Sequence, residues 1–116
     1  MWVDFKKLEN SLNFALSGIK DIIREENSFR FELIVAVAVA AAAFCFPLSP
    51  LEKAVIFMVV FSVLIAEIIN TVAERMMDVY STDHDPRIKK IKDMCSGAVL
   101  LTCLMAGIVG LIIFLK

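Results

Sequence analysis

Apolar positions follow two different patterns along this chain. From the N-terminus, Phe5, Leu8, Leu12, Leu16, Ile19 and Ile23 return at three- and four-residue steps, with lysines and acids on the intervening positions. That period predicts an amphipathic helix over about residues 3–27, of the kind that lies along a bilayer surface. Glu26 continues the apolar stripe, seven residues after Ile19, and is expected to point inward; Phe14 is the reverse, an aromatic on the polar face. For Phe14, snorkelling or packing against another subunit competes with stacking on a ligand. Beyond Arg30 the periodicity gives way to long apolar runs. No charge lies between Glu32 and Glu52, which predicts a first membrane span over about 31–47. Pro47 and Pro50 end it, because proline lacks an N–H donor and restricts the residue before it. A second span follows over about 51–73, antiparallel to the first, and its helical pattern runs on to Tyr80 as a polar extension. Ser81 to Pro86 is turn chemistry. A third span, about 94–115, carries no charge from Met94 to Leu115.

Composition agrees with a membrane protein. Of 116 residues, 59% are hydrophobic, above the share usual in soluble domains. The expectation is a single all-α membrane domain over 1–116, a surface helix plus three transmembrane helices. The amphipathic N-terminus is unlike a cleavable signal peptide. A net charge of -1 provides no basic field, which argues against nucleic acid as a partner. Cys45, Cys95 and Cys103 form no metal-ligating or redox spacing and read as buried small hydrophobes. Charge bias sets an expected orientation. Lys6, Lys7, Lys20, Arg24 and Arg30 precede the first span, and Arg75, Arg87, Lys89, Lys90 and Lys92 surround the second link. Only Lys53 and Lys116 lie on the other side. The positive-inside rule then puts the N-terminus in the cytoplasm and the C-terminus outside.

Against that background, Glu67 and Glu74 stand out. A carboxylate at bilayer depth is costly unless paired, metal-bound or wet, so it marks a candidate site. On a helix Glu67, Asn70, Glu74 and Asp78 share one side, running from the membrane interior out to water. Glu67 and Glu74 are separated by about 10 Å along the axis at ~1.5 Å per residue, too far to ligate one ion together. Glu26 and Glu74, both near the interface, are the natural pair for a hard cation such as Mg²⁺. Lys92 and Asp93 follow the basic run of Lys89 and Lys90, where a lysine neutralises phosphate charge. No glycine-rich phosphate cradle accompanies them. From these residues alone, three readings stand. One is a lipid-modifying enzyme meeting a nucleotide at the interface. Another is a non-catalytic protein, an ion-conducting or scaffold subunit. In the third, Glu67 and Asn70 only hold helices together in an oligomer.

The residues Ile22 to Leu33, the block E-x-x-N-x-x-x-E-x-x-x-D from Glu67 to Asp78, and K-D-x-x-x-x-A-V-L from Lys92 to Leu100 resemble the prokaryotic diacylglycerol kinase family. That family includes the undecaprenol kinases, and the resemblance covers essentially the whole chain. It implies a three-span kinase of the bacterial cytoplasmic membrane, a homotrimer with sites shared between neighbouring subunits. Such an enzyme transfers the γ-phosphoryl group of Mg-ATP to a membrane lipid alcohol. By position, the resemblance makes Glu67 the general base, and Glu26 and Glu74 the Mg²⁺ ligands that also contact ATP. It places Lys7, Phe14, Asp83, His84, Asp85, Lys92 and Asp93 on the nucleotide and Ser96 beside the lipid. Asn70 and Asp78 become supporting polar residues. The chain departs from the pattern at His84-Asp85-Pro86, where the family usually has Tyr-His, so an acid replaces a histidine. For His84 taken alone, a solvated turn residue is the favoured account over a nucleotide contact. Lys7 stands where some members have arginine, which loses bidentate phosphate recognition. The stretch from Phe14 to Glu26 is more similar to undecaprenol kinases than to Gram-negative diacylglycerol kinases.

Overall fold

The computed structural model describes residues 2–80 and 85–116. They form four helices: α1 (Phe5–Glu25), α2 (Asn27–Cys45), α3 (Pro50–Tyr80) and α4 (Pro86–Phe114). Three of them, α2 to α4, are long and apolar enough to cross a membrane. This is an all-helical membrane protein. α3 is the central element and packs against both α2 and α4, while α1 touches α2. The radius of gyration is 17.6 Å, against about 13 Å for a compact domain of this length. α1 buries Ile22 and leaves Phe5, Leu8, Leu12, Leu16 and Ile19 exposed.

Each helix start has a local cause. The Asp4 side chain accepts a hydrogen bond from the Lys7 backbone N–H (3.1 Å), satisfying one of the free donors of α1. Ser49 and Glu52 form a reciprocal capping box ahead of α3, with backbone N–H to side-chain oxygen distances of 2.9 and 3.1 Å. Asp85 caps α4 by accepting from the Arg87 N–H at 2.9 Å, with Pro86 in the first turn, where its missing donor does no harm. The Arg87 guanidinium also bonds the Asp85 carboxylate and holds it below the usual carboxylate range. The start at Pro86 makes α4 longer than the span expected from Met94.

Between α1 and α2 there is no loop. Glu26 alone leaves the helical conformation, with φ -114° and ψ 111°. Arg30 explains why the break holds. Its guanidinium donates to the carbonyls of Ile23 (2.9 Å) and Arg24 (2.8 Å), two acceptors that the end of α1 would otherwise leave free.

Apolar packing is concentrated at the Pro47–Pro50 end, where Ala43, Ile56 and Ile113 are buried together with Val39, Leu48 and Phe114 around them. Ala36 and Ala43 let α2 approach α3 closely, as small residues do in membranes. The three thiols are free. Cys45 is exposed, and Cys95 and Cys103 are half-buried. They were expected in the interior, but in the single chain much of the helix surface faces outward, where hydrocarbon takes the place of a protein core.

Candidate active site

The polar end of the bundle is built on α3. Glu67 is buried at 7% exposure, Asn70 and Glu74 are half-buried, and Asp78 is exposed. The stripe is therefore graded from interior to surface. Glu67 accepts a hydrogen bond from Ser28 Oγ at 2.9 Å, across from the first turn of α2. Thr71 turns its hydroxyl back to the Glu67 backbone carbonyl (3.0 Å) and does not reach the carboxylate. Glu32 lies one turn along α2 from Ser28, on the same face of the helix.

One turn beyond Glu67, Asn70 donates its amide to Glu74 Oε1 at 3.3 Å. The Asn70 Oδ1 atom is buried with no hydrogen-bond partner among the described residues. Glu26, at the α1–α2 break, accepts from Arg75 at 2.6 Å, and Arg75 also lies 3.7 Å from Glu25. Thus Arg75, the neighbour of Glu74 in sequence, carries the positive charge at Glu26. The oxygen donors of this region are the Glu74 carboxylate with Asn70 bonded to it, the orphaned Asn70 carbonyl, and the Glu26 carboxylate, which is paired with Arg75. That set suits Mg²⁺, which takes one or two carboxylates and fills the rest of its shell with water and phosphate. Among the described residues no cluster of three or more acids, histidines or cysteines is gathered for a metal.

The remaining residues of interest divide into three groups. Lys92 bonds Asp78 at 2.6 Å, joining α4 to the outer end of the α3 stripe. Asp93 pairs with Lys89 at 2.7 Å on the same helix, and Asp85 serves as the α4 cap. Lys7, Phe14 and Ser96 are exposed, and the side chains of Lys7 and Phe14 lie on α1. Asp83 and His84 lie outside the described residues. Within one chain, the structure therefore brings Glu67 to α2, Glu26 to α3 and Asp78 to α4.

Three side chains near these acids were not singled out from the sequence. Ser28 bonds Glu67, Glu32 lies one turn further along α2, and Arg75 meets Glu26. A signal for Ser28 existed: a carboxylate buried in a span needs a donor, and the first turn of the neighbouring span is where polar residues remain. Arg75 was read only as one of the charges that set orientation.

Comparison with known proteins gives the chain its family. The family model described as prokaryotic diacylglycerol kinase matches residues 13–114. The undecaprenol kinase of Bacillus subtilis is 33% identical over 120 residues, covering 97% of this chain and 98% of that protein. A diacylglycerol kinase of Helicobacter pylori (strain J99) is 32% identical over 97 residues, covering 84% and 76%. A diacylglycerol kinase of Haemophilus influenzae is 27% identical over 109 residues, covering 92% of each. On the extent of these matches, the chain belongs to the prokaryotic diacylglycerol kinase family.

Proposed function

We propose that this membrane protein, a lipid kinase by family, transfers the γ-phosphoryl group of ATP to the hydroxyl of a membrane lipid alcohol at the cytoplasmic face of the bacterial membrane. The observation that carries this reading is Glu67, a carboxylate buried at the polar end of a membrane helix and held there by a hydroxyl donor. In the transfer, the lipid oxygen attacks the γ-phosphorus and the bond to the β-phosphate oxygen breaks. The electron pair leaves with ADP, and the lipid hydroxyl proton passes to Glu67 as general base. Glu26 and Glu74 hold Mg²⁺, which when bound neutralises phosphate charge. Lys92 lies at the outer end of the stripe to meet phosphate, and Asp93, Lys7, Phe14 and Asp85, together with Asp83 and His84, contact the nucleotide. Asn70 and Asp78 support the stripe, and Ser96 lies by the lipid.

The active unit is a homotrimer with sites completed by neighbouring subunits, the N-terminus in the cytoplasm and the C-terminus outside. α4 leaves most of its apolar surface outside the chain, a face that neighbouring subunits as well as lipid can cover. The basic residues before α2 and around the α3–α4 link support the orientation.

Between the two acceptors, undecaprenol is slightly favoured over diacylglycerol. The match to the Bacillus subtilis undecaprenol kinase runs nearly end to end in both chains. The test is purified protein in mixed micelles with Mg-ATP, offered undecaprenol and diacylglycerol in parallel. Phosphorylated undecaprenol is the expected product. Phosphatidic acid instead would reassign the acceptor, and no product from either would return the chain to the ion-conducting or scaffold reading.

A further inference from the structure

We propose that Ser28 is a positioning residue for phosphoryl transfer, its hydroxyl holding one oxygen of the Glu67 carboxylate so that the other faces the lipid alcohol. The inference rests on the reading of Glu67 as the base.

Among the described residues, Ser28 is the one side chain that hydrogen-bonds the Glu67 carboxylate, from Oγ to Oε1 at 2.9 Å. The nearby alternatives are committed elsewhere. Thr71 donates to a backbone carbonyl, and Asn70 donates to Glu74. A carboxylate buried to 7% exposure without any donor would bear the full cost of desolvation and would be free to turn about its side-chain torsions. One bond to one oxygen removes that freedom and still leaves the second oxygen with its lone pairs. A general base needs both: a fixed direction of approach and a free acceptor.

The location of Ser28 strengthens the case. It lies in the first turn of α2, where backbone N–H groups lack intrahelical acceptors and the local potential is positive. Glu26, the residue preceding this turn, makes no side-chain capping bond, so its carboxylate does not neutralise that end. Phe29, the next residue, is buried to 3% exposure and anchors the turn. Glu32 sits four residues on, on the same face of α2. The hydroxyl therefore ties the Glu67 carboxylate to the start of α2. Ser28 itself is exposed, so its contribution is a donor and not packing volume.

That distinction makes the inference testable in the full-length protein with three substitutions. Ser28→Ala removes the donor, Ser28→Cys keeps the size with a poor donor, and Ser28→Thr keeps the hydroxyl while adding bulk. Turnover and KM are measured for lipid alcohol and for Mg-ATP in mixed micelles, with the thermal midpoint of each variant recorded alongside. Ser28→Ala is expected to lower kcat by about tenfold to a hundredfold, the scale of one hydrogen bond to a charged group, with KM for Mg-ATP unchanged. Ser28→Cys should match Ser28→Ala, and Ser28→Thr should recover most of the wild-type rate. An unchanged kcat in Ser28→Ala overturns the proposal. So does Ser28→Cys outperforming Ser28→Thr, which would show that size matters and the donor does not. If Ser28→Ala does not fold, the Cys and Thr pair still decides. Glu67→Gln assayed in parallel separates the two levels. Normal turnover there removes the base itself, whereas a dead Glu67→Gln beside a normal Ser28→Ala removes only the role of Ser28.

Discussion

The two ends of the helical bundle are built on opposite terms. At the Pro47–Pro50 end, Ala43, Ile56 and Ile113 close a small apolar core, and Phe46 and Phe114 meet edge to face at 5.1 Å. The polar groups there are also paired within the chain: Ser49 and Glu52 cap each other, and Lys116 reaches Glu52 at 2.6 Å. At the α1 end the order is reversed. Acids and bases crowd together, Asn70 Oδ1 is buried without a partner among the described residues, and Glu26 is neutralised by Arg75 of α3. One end is complete as a single chain and the other is not. The difference fits the site proposed at the α1 end, because a buried oxygen without a donor is held at a cost that a bound cation or ligand relieves.

The strongest way to break this contrast is at Glu67. Glu67→Gln preserves shape and the bond to Ser28 while removing basicity, so turnover should fall by about 10²–10⁴-fold, the usual worth of a general base. Mg-ATP affinity and assembly should survive. Substantial residual turnover would mean that the buried acid is structural and that the polar end resembles the apolar one. Next in size is Glu74→Gln, which should raise the Mg²⁺ concentration for half-maximal activity by about tenfold or more, as loss of metal-supporting groups does. A metal titration identical to wild type would remove Glu74 from the ligand set.

How far the sequence disclosed this arrangement depends on the kind of cause involved. The α3 acids were legible because charge inside an apolar run is expensive wherever it occurs, and the spans were legible from run length alone. The break near residue 26 was legible too, as the change from periodic to continuous apolar positions, but the absence of a loop and the cause of the break were not. Residues 22–30 contain neither glycine nor proline, and the break depends on Arg30 reaching back to two carbonyls, a tertiary choice of one long side chain. The early start of α4 had a written signal in Asp85-Pro86, outweighed by the charge of the following turn. Ser28 was hidden because a serine in a helix's first turn is ordinary until a partner 39 residues away is seen to meet it. Arg75 had two meanings, a charge that sets orientation and a counter-ion for Glu26, and only the first can be read without coordinates.

At the apolar end, Ile56→Ala probes stability with the chemistry left alone. Ile56 is 2% exposed. In hydrocarbon the transfer component of such a truncation is weak, so what remains is lost packing, about 1–2 kcal/mol. The thermal midpoint in detergent should drop while turnover per folded molecule stays at the wild-type value. A loss of turnover at unchanged stability would instead tie the two ends together.

The smallest effects come from a matched pair of ion contacts, one at each end. Arg75–Glu26 and Lys116–Glu52 are both 2.6 Å long, and in each the cation is about half exposed. Partly solvated pairs of this kind add little to stability, so neither Arg75→Ala nor Lys116→Ala should move the unfolding midpoint appreciably. Their functional consequences should nevertheless diverge. Arg75 occupies a carboxylate proposed to hold metal, and removing it frees Glu26, so Arg75→Ala should lower the Mg²⁺ requirement by about two- to threefold, the competitive weight of one such pair. Lys116 neutralises a capping residue at the end proposed to lie away from the nucleotide, and its loss should leave the Mg²⁺ titration where it was. Equal titrations for the two variants would show that Glu26 is not contested by metal, and would leave Arg75 as a clamp between α1 and α3.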